Sequence, residues 1–445
     1  MVTRRGAIRT LATVTAASTI SAIVPRAVAT PHAVDDSGAA SVHELIGTAP
    51  PWSCVTITRN WSVVDPVVLA APITLRFAGG SLSTPSHISL LHVFSSDVRI
   101  EQPVLRGADG SVSGLGRGIQ ATGTTAAPLR NVVVHGGSIS GQSHDGVLLE
   151  HVEQFAISGT TITDVGYAGV LLVSCTDGLV SGNRIDQVNQ PAPYVNSYGI
   201  EAARSTAAGT DRFPRSARIT VSDNWVSRVP AWEGIDTHGG EQIAILRNRV
   251  EDCRVGIALV PSKDEDDASK TKYAPLSCSV IGNTVTRSFR GPGPGIVVRG
   301  AGETIDSPAE RATGVLLGNA VSGYGDADRD APILVYLTRD LVIAENDLVG
   351  FGRAISAYHS NADLTIFRNS VVDVQRLGTA RTAGILVVAT ANSGAVFGNQ
   401  VSAGDVGLQC RSATNSFLSI GNSWGSLVTD PVVSATDAVV RFRDG

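Results

Sequence analysis

An asparagine followed two residues later by an apolar side chain recurs along most of this chain. The asparagines are Asn183, Asn224, Asn248, Asn283, Asn319, Asn346, Asn369, Asn399 and Asn422, and the apolar followers are Ile185, Val226, Val250, Val285, Val321, Leu348, Val371, Val401 and Trp424. The shortest spacings are 23 residues (346 to 369 and 399 to 422) and 24 (224 to 248). A unit that short cannot bury its own apolar face, so the units must stack. Between the asparagines a second phrase opens another short strand: Gly146-Val147, Gly169-Val170, Gly199-Ile200, Gly234-Ile235, Gly256-Ile257, Gly295-Ile296, Gly384-Ile385 and Gly407-Leu408. Runs such as Ile243-Ala244-Ile245 and Leu364-Thr365-Ile366 place apolar residues at alternate positions, the period of a strand. Stacked coils pair like strands into long parallel sheets, and an asparagine repeated at one turn can hydrogen-bond its neighbours above and below. The 47 glycines supply corners with positive φ. A propeller blade needs four antiparallel strands in about 40 residues, longer than the spacing here. The expected fold is all-β: a single-domain right-handed parallel β-helix solenoid with an N-terminal cap.

Three stretches divide the chain. Thr3-Arg4-Arg5-Gly6, an apolar run over 10–24 and Ala27-Val28-Ala29 read as an export signal of the twin-arginine type. The apolar run is too short and too rich in alanine and threonine for a membrane anchor. Residues 1–33 are therefore assigned to the signal, 34–80 to the cap and first strands, and 81–445 to the β-helix. The cap includes a short helix over 41–47 and a strand over 73–77. A secreted or cell-surface location follows, with no membrane association once the signal is removed. A net charge of −5 gives no general attraction to nucleic acid. The five cysteines are too few and odd in number for a disulfide framework, though Cys253 and Cys278 flank one insertion and could bridge its base.

Departures from the minimum spacing place long loops in the middle coils, at 190–196, 204–216, 262–275, 291–294 and 301–311. Loops on a rigid scaffold are where binding residues gather. Counting from each repeated glycine, the first residue points inward, so the second and fourth point out. The second-position column runs Leu148, Leu171, Glu201, Asp236, Ala258, Val297, Leu334, Ser356, Leu386, Gln409; the fourth runs Glu150, Val173, Ala203, His238, Val260, Arg299, Tyr336, Tyr358, Val388, Arg411. Glu201 and Asp236 fall at one place on consecutive coils, about 4.8 Å apart. Carboxylates that close repel, and one should keep its proton to higher pH, which suits acid–base work. His238 follows on the same face, and Arg299, Tyr336 and Tyr358 extend it toward an acidic or polyhydroxy ligand. Arg204, Trp232 and Lys263 border it on the adjoining loops, where Lys270 and Lys272 add positive charge. Asp264-Glu265-Asp266-Asp267 offers clustered oxygens for calcium, but without an interposed glycine or fixed spacing it reads as a solvated loop; no cofactor is expected. His144-Asp145 and His359 stand apart and are taken as incidental.

Over 146–426 the coil pattern resembles the pectate-lyase-like superfamily of right-handed parallel β-helix proteins. Within it, Glu233-Gly234-Ile235-Asp236-Thr237-His238 resembles the Tyr-Gly-Phe-Asp-Pro-His segment of mannuronan C5-epimerases and related alginate-active enzymes. That resemblance implies catalytic roles for Asp236 and His238, with His238 the base that removes a sugar C5 proton and Arg299 set to neutralise the uronate carboxylate. Glu233 stands where the family has tyrosine, Thr237 where it has proline, and Ala258 and Val260 leave the next coil without the family's further aspartate. Tyr198, Tyr336 and Tyr273 are all open as sources of the missing phenol. Three functions are expected in order: a lyase or epimerase on a uronate-containing polysaccharide; a glycoside hydrolase or transglycosylase using Glu201 and Asp236, whose separation is close to the ~5 Å of retaining enzymes; and a non-catalytic glycan-binding surface protein.

Overall fold

The computed structural model describes residues 32–435 and 439–443, apart from 194, 206–207, 305, 308 and 327–329. The export-signal expectation lies outside the described residues except at its end, where Ala33 opens the first strand, Ala33–Asp35, paired with Cys54–Ile57. The cap helix forms over Val42–Thr48: Ser41 at its N-cap accepts a hydrogen bond from the Glu44 backbone amide, and Val42, Leu45 and Ile46 face the first coil.

Among the described residues the strands lie in two parallel sheets of 18 and 26, plus the short antiparallel hairpin Ser262–Lys263 with Thr271–Tyr273. The larger sheet consists of two ladders running up different sides of the stack. They merge only near the C-terminal end, where the long strands Gln400–Cys410 and Ser423–Ser434 continue around a corner. The fold is a parallel β-helix with three ladders enclosing one core. No described helix is long and apolar enough to cross a membrane.

The inner column of one ladder gives the register directly. Ile119, Val147, Val170, Ile200, Ile235, Ile257, Ile296, Ile333, Ile355, Ile385 and Leu408 pair in succession. Every one is fully buried. An aliphatic stack of this kind removes apolar surface from water on every coil, at roughly 25 cal/mol per Å².

At the turn, each asparagine after Asn183 accepts at Oδ1 from the backbone amide and the Nδ2 of the asparagine one coil before it, as Asn224 does at 2.9 Å from both Asn183 atoms. The ladder continues unbroken to Asn422. A second, shorter ladder, Asn361, Asn392 and Asn415, was not anticipated. The residue before each asparagine of the long ladder takes a left-handed conformation, and glycine fills only five of the nine corners; Asp223, Arg247, Glu345 and Arg368 hold the others at φ of 50–58°. Hydrogen bonds on either side determine that corner, so a side chain tolerates a conformation that costs it ~1 kcal/mol or more.

All five cysteines are free thiols, so no bridge joins Cys253 and Cys278. Each is enclosed in the core, and burial pushes both thiols up to about 12.

Candidate active site

Strand Tyr198–Ala203 pairs with Glu233–His238, setting Tyr198 opposite Glu233 and Glu201 opposite Asp236. On the next coil Asp236 faces Ala258 and His238 faces Val260. The second- and fourth-position columns thus hold their expected register. Their exposure differs from expectation. Glu201 and Asp236 were expected to project into solvent, yet they are 6% and 1% exposed, and Glu233 beside them is 8% exposed. They point away from the core but lie under cover. Trp232 Nε1, next to Glu233 in sequence, donates to Asn196 Oδ1 at 2.8 Å. Part of the cover is a row of aromatic rings. His144 stacks on Tyr167 at 4.7 Å, Tyr167 meets Tyr198 edge-on at 5.3 Å, and Tyr198 meets His238 at 6.1 Å.

Cover changes the electrostatics. Burial, reinforced by facing Asp236, raises the Glu201 carboxyl well above the usual carboxylate range, and burial does the same to Asp236. Burial and Asp236 together lift Glu233 to about 8. Glu201 Oε2, Glu233 Oε2 and both Asp236 oxygens are buried without a hydrogen-bond donor. One side-chain atom from each of Glu201, Asp236 and His238 lies within 4.8 Å of the other two, so the three converge on one spot. His238, with 30% of its side chain exposed, is the opening of this group to solvent. Its Nε2 stands 2.9 Å from Asp236 Oδ2, within reach but out of line for a hydrogen bond. Burial and then the surrounding carboxylates keep the Tyr167 and Tyr198 phenols protonated. The arrangement can take up, hold and return protons at one spot on the outer wall.

His144-Asp145, set aside as incidental, belongs to this face. Asp145, fully buried, meets Arg117 Nε at 2.7 Å and His144 Nδ1 at 2.9 Å. It pairs with Ala168, which pairs with Tyr198. The signal lay in the column one residue before each glycine, Arg117, Asp145, Ala168, Tyr198, Glu233, which sequence reasoning left uncounted.

Other expected residues divide. Arg299, Tyr336 and Tyr358 occupy the outer face of later coils, with Arg299 opposite Tyr336. Trp232 lies at the edge of the acid group beneath the Arg254 guanidinium, 4.4 Å from its ring. Arg204 does not face the site as expected: it is 3% exposed and spends donors on its own loop, from Nε to Phe213 O at 3.0 Å and from Nη2 to Ala208 O at 2.6 Å. Lys263 sits exposed on the small hairpin. The remaining lysines of that loop serve its own acids. Lys272 and Tyr273 engage Glu265 at 2.9 and 2.8 Å and hold it down to about 2, while Lys270 pairs with Asp267 at 3.0 Å.

Three insertions meet at Arg215, just past His238. Its Nη1 donates to Gly239 O at 2.8 Å and Ala274 O at 2.6 Å, and its Nη2 pairs with Glu310. Arg215→Ala should free loops 262–275 and 301–311 while the solenoid stays folded, because the backbone ladders between coils lose no bond. Limited proteolysis should then cut within 262–275 while the melting temperature changes little; an unchanged cleavage pattern would show that these loops hold without Arg215.

A family model of the right-handed β-helix region matches residues 111–266. No curated protein matches the sequence. Among solved structures, tailspike protein 3 of bacteriophage CBA120 superposes with a TM-score of 0.55 at 12% identity, over 92% of this chain and 59% of that one. A periplasmic alginate epimerase gives 0.48 at 13% identity, over 93% and 85%. PfbA, a surface adhesin of Streptococcus pneumoniae, gives 0.46 at 11%, over 72% and 83%. Likeness at these identities is likeness of fold alone; the matching family model is that of a right-handed helix.

Proposed function

We propose that this right-handed β-helix is an exported polysaccharide-processing enzyme that moves a proton at a sugar ring, as a lyase or epimerase on a uronate-containing glycan. The observation that carries the reading is His238, the open member of the buried group, 2.9 Å from Asp236 and flanked by Tyr198. Removing the proton beside a sugar carboxylate needs a base, a partner for the charge the base acquires and a donor toward the developing enolate. His238 is the base. Asp236 steadies the imidazolium, since a buried carboxylate is far less costly next to a cation. Glu201, protonated through burial, donates toward the sugar carboxylate. Glu233 stands where the resembled segment has tyrosine, and the residue paired with it one coil earlier is Tyr198. Of the three tyrosines left open by the sequence, Tyr198 is the one beside His238, and its phenol returns the proton.

A second reading, glycoside hydrolysis by Glu201 and Asp236, draws on their direct pairing and on side-chain oxygens within 4.8 Å. Incubation with a panel of uronans separates the two. An ultraviolet-absorbing unsaturated end or an inverted C5 supports proton transfer; new reducing ends without unsaturation overturn it in favour of hydrolysis. Tyr198→Phe should lower kcat about a hundredfold with little change in KM, the mark of a lost proton-transfer group. Unchanged kcat would remove Tyr198 from the chemistry.

A further inference from the structure

The C-terminal side of the acid group carries a different surface. Val255, Ala258, Val297 and Leu334 form an apolar cluster of their own, on the outer side of the wall and separate from the core. Val260, Tyr336 and Tyr358 pack against it and are half-buried. Tyr336 and Tyr358 pack edge-on at 6.0 Å, and His359 joins both, at 5.6 and 4.9 Å. The Arg299 guanidinium lies 5.5 Å from the Tyr336 ring centre. Arg299 Nε is buried and has no hydrogen-bond partner.

The core of a solenoid is complete without such a cluster. Ring faces above an apolar floor suit the C–H faces of a pyranose, and a guanidinium fixed beside a ring matches a carboxylate with two parallel donors. The column runs from His238 through Val260, Arg299 and Tyr336 to Tyr358, one coil per step. Steps of about 4.8 Å place Arg299 two coils and Tyr358 four coils beyond the reactive histidine, in line with sugars further along a chain laid over this wall.

We infer that Arg299, Tyr336, Tyr358 and His359 form a separate subsite for a carboxylate-bearing sugar further along the same chain, so that the substrate is an extended polyanion lying along the helix axis toward the C-terminal coils. The inference rests on the proposed function for the position of the reacting sugar but is tested apart from it.

The test uses the full-length protein with size-fractionated oligomannuronates and oligogalacturonates, and the same oligomers after reduction of their carboxyl groups. Binding is measured by calorimetry in an Asp236→Asn background, and turnover in the native background. Arg299→Gln should weaken binding of the longest acidic oligomers about tenfold, the loss of one charge-assisted contact, and raise their KM with kcat unchanged. The shortest oligomers and the carboxyl-reduced ones should bind both proteins alike. Tyr358→Ala should repeat the length dependence, and circular dichroism checks that both variants fold. If Arg299→Gln affects all lengths equally, or none, the subsite is wrong. Length-dependent binding through Arg299 without any product would leave the subsite standing and remove the catalytic reading; product with no length effect would do the reverse.

Discussion

Asp236→Asn is expected to abolish turnover and, above neutral pH, to make the protein more stable than the native chain. The loss of turnover should reach about a thousandfold, because a neutral amide cannot balance the imidazolium that forms on His238. The gain in stability has a definite sign. A carboxyl whose folded pKa lies above its unfolded value binds more protons folded than unfolded, so stability falls as pH rises between the two. For Glu233 that window runs from the ordinary 4.5 to about 8, and the raised Glu201 and Asp236 carboxyls add in the same direction. The native protein should therefore lose melting temperature steadily over this range. Asparagine at 236 removes one acid and relieves both Glu201 and Glu233, whose shifts each include repulsion from Asp236. The variant should show a shallower decline and an advantage on the order of 1 kcal/mol near pH 8 that vanishes toward about pH 5. Thermal melts of both proteins across this range decide it. Parallel curves would mean that the three acids do not share the buried environment described.

The register of this site was legible in the sequence because side chains alternate with period two and each coil restarts at a glycine. Counting from Gly199 and Gly234 was enough to bring Glu201 opposite Asp236. Burial was not legible. Whether an outward residue meets water depends on loops far along the chain and on rings from other coils, such as Asn196 holding Trp232 or Tyr198 lying against His238. Those contacts leave no periodic trace. Tyr198 itself was nameable but went unselected, because the column one residue before each glycine, which sets it across from Glu233, was left uncounted. Arg204 shows the opposite error: a cation at the start of an insertion looks like a ligand contact until its Nε and Nη2 are found donating to the Phe213 and Ala208 carbonyls of its own loop.

The asparagine ladder makes the sharpest statement about what holds the stack together, and Asn283→Ala is expected to cost about 3 kcal/mol. Asn283 is 1% exposed and uses every polar atom of its side chain. Its Oδ1 accepts from the Asn248 amide at 2.8 Å and from Asn248 Nδ2 at 3.0 Å, while its Nδ2 donates to Ile245 O and Asn319 Oδ1, both at 2.9 Å. Alanine would leave the buried Asn248 N–H and the buried Ile245 carbonyl, both on the preceding coil, short of a partner, and each orphaned group costs about 1–3 kcal/mol. Nothing nearby can rotate in, because the adjoining rungs are committed to their own neighbours. Asn422 supplies the internal comparison. It ends the long ladder, is only part-buried, and donates to Val396 O and Ser419 Oγ rather than to another asparagine. Water can reach the groups that Asn422→Ala exposes, so that change should cost about 1 kcal/mol. Chemical denaturation of the two variants measures the difference. Equal losses would mean that the rungs act as isolated hydrogen bonds, and that the stack draws its cohesion from the aliphatic column headed by Ile119 and not from the asparagines.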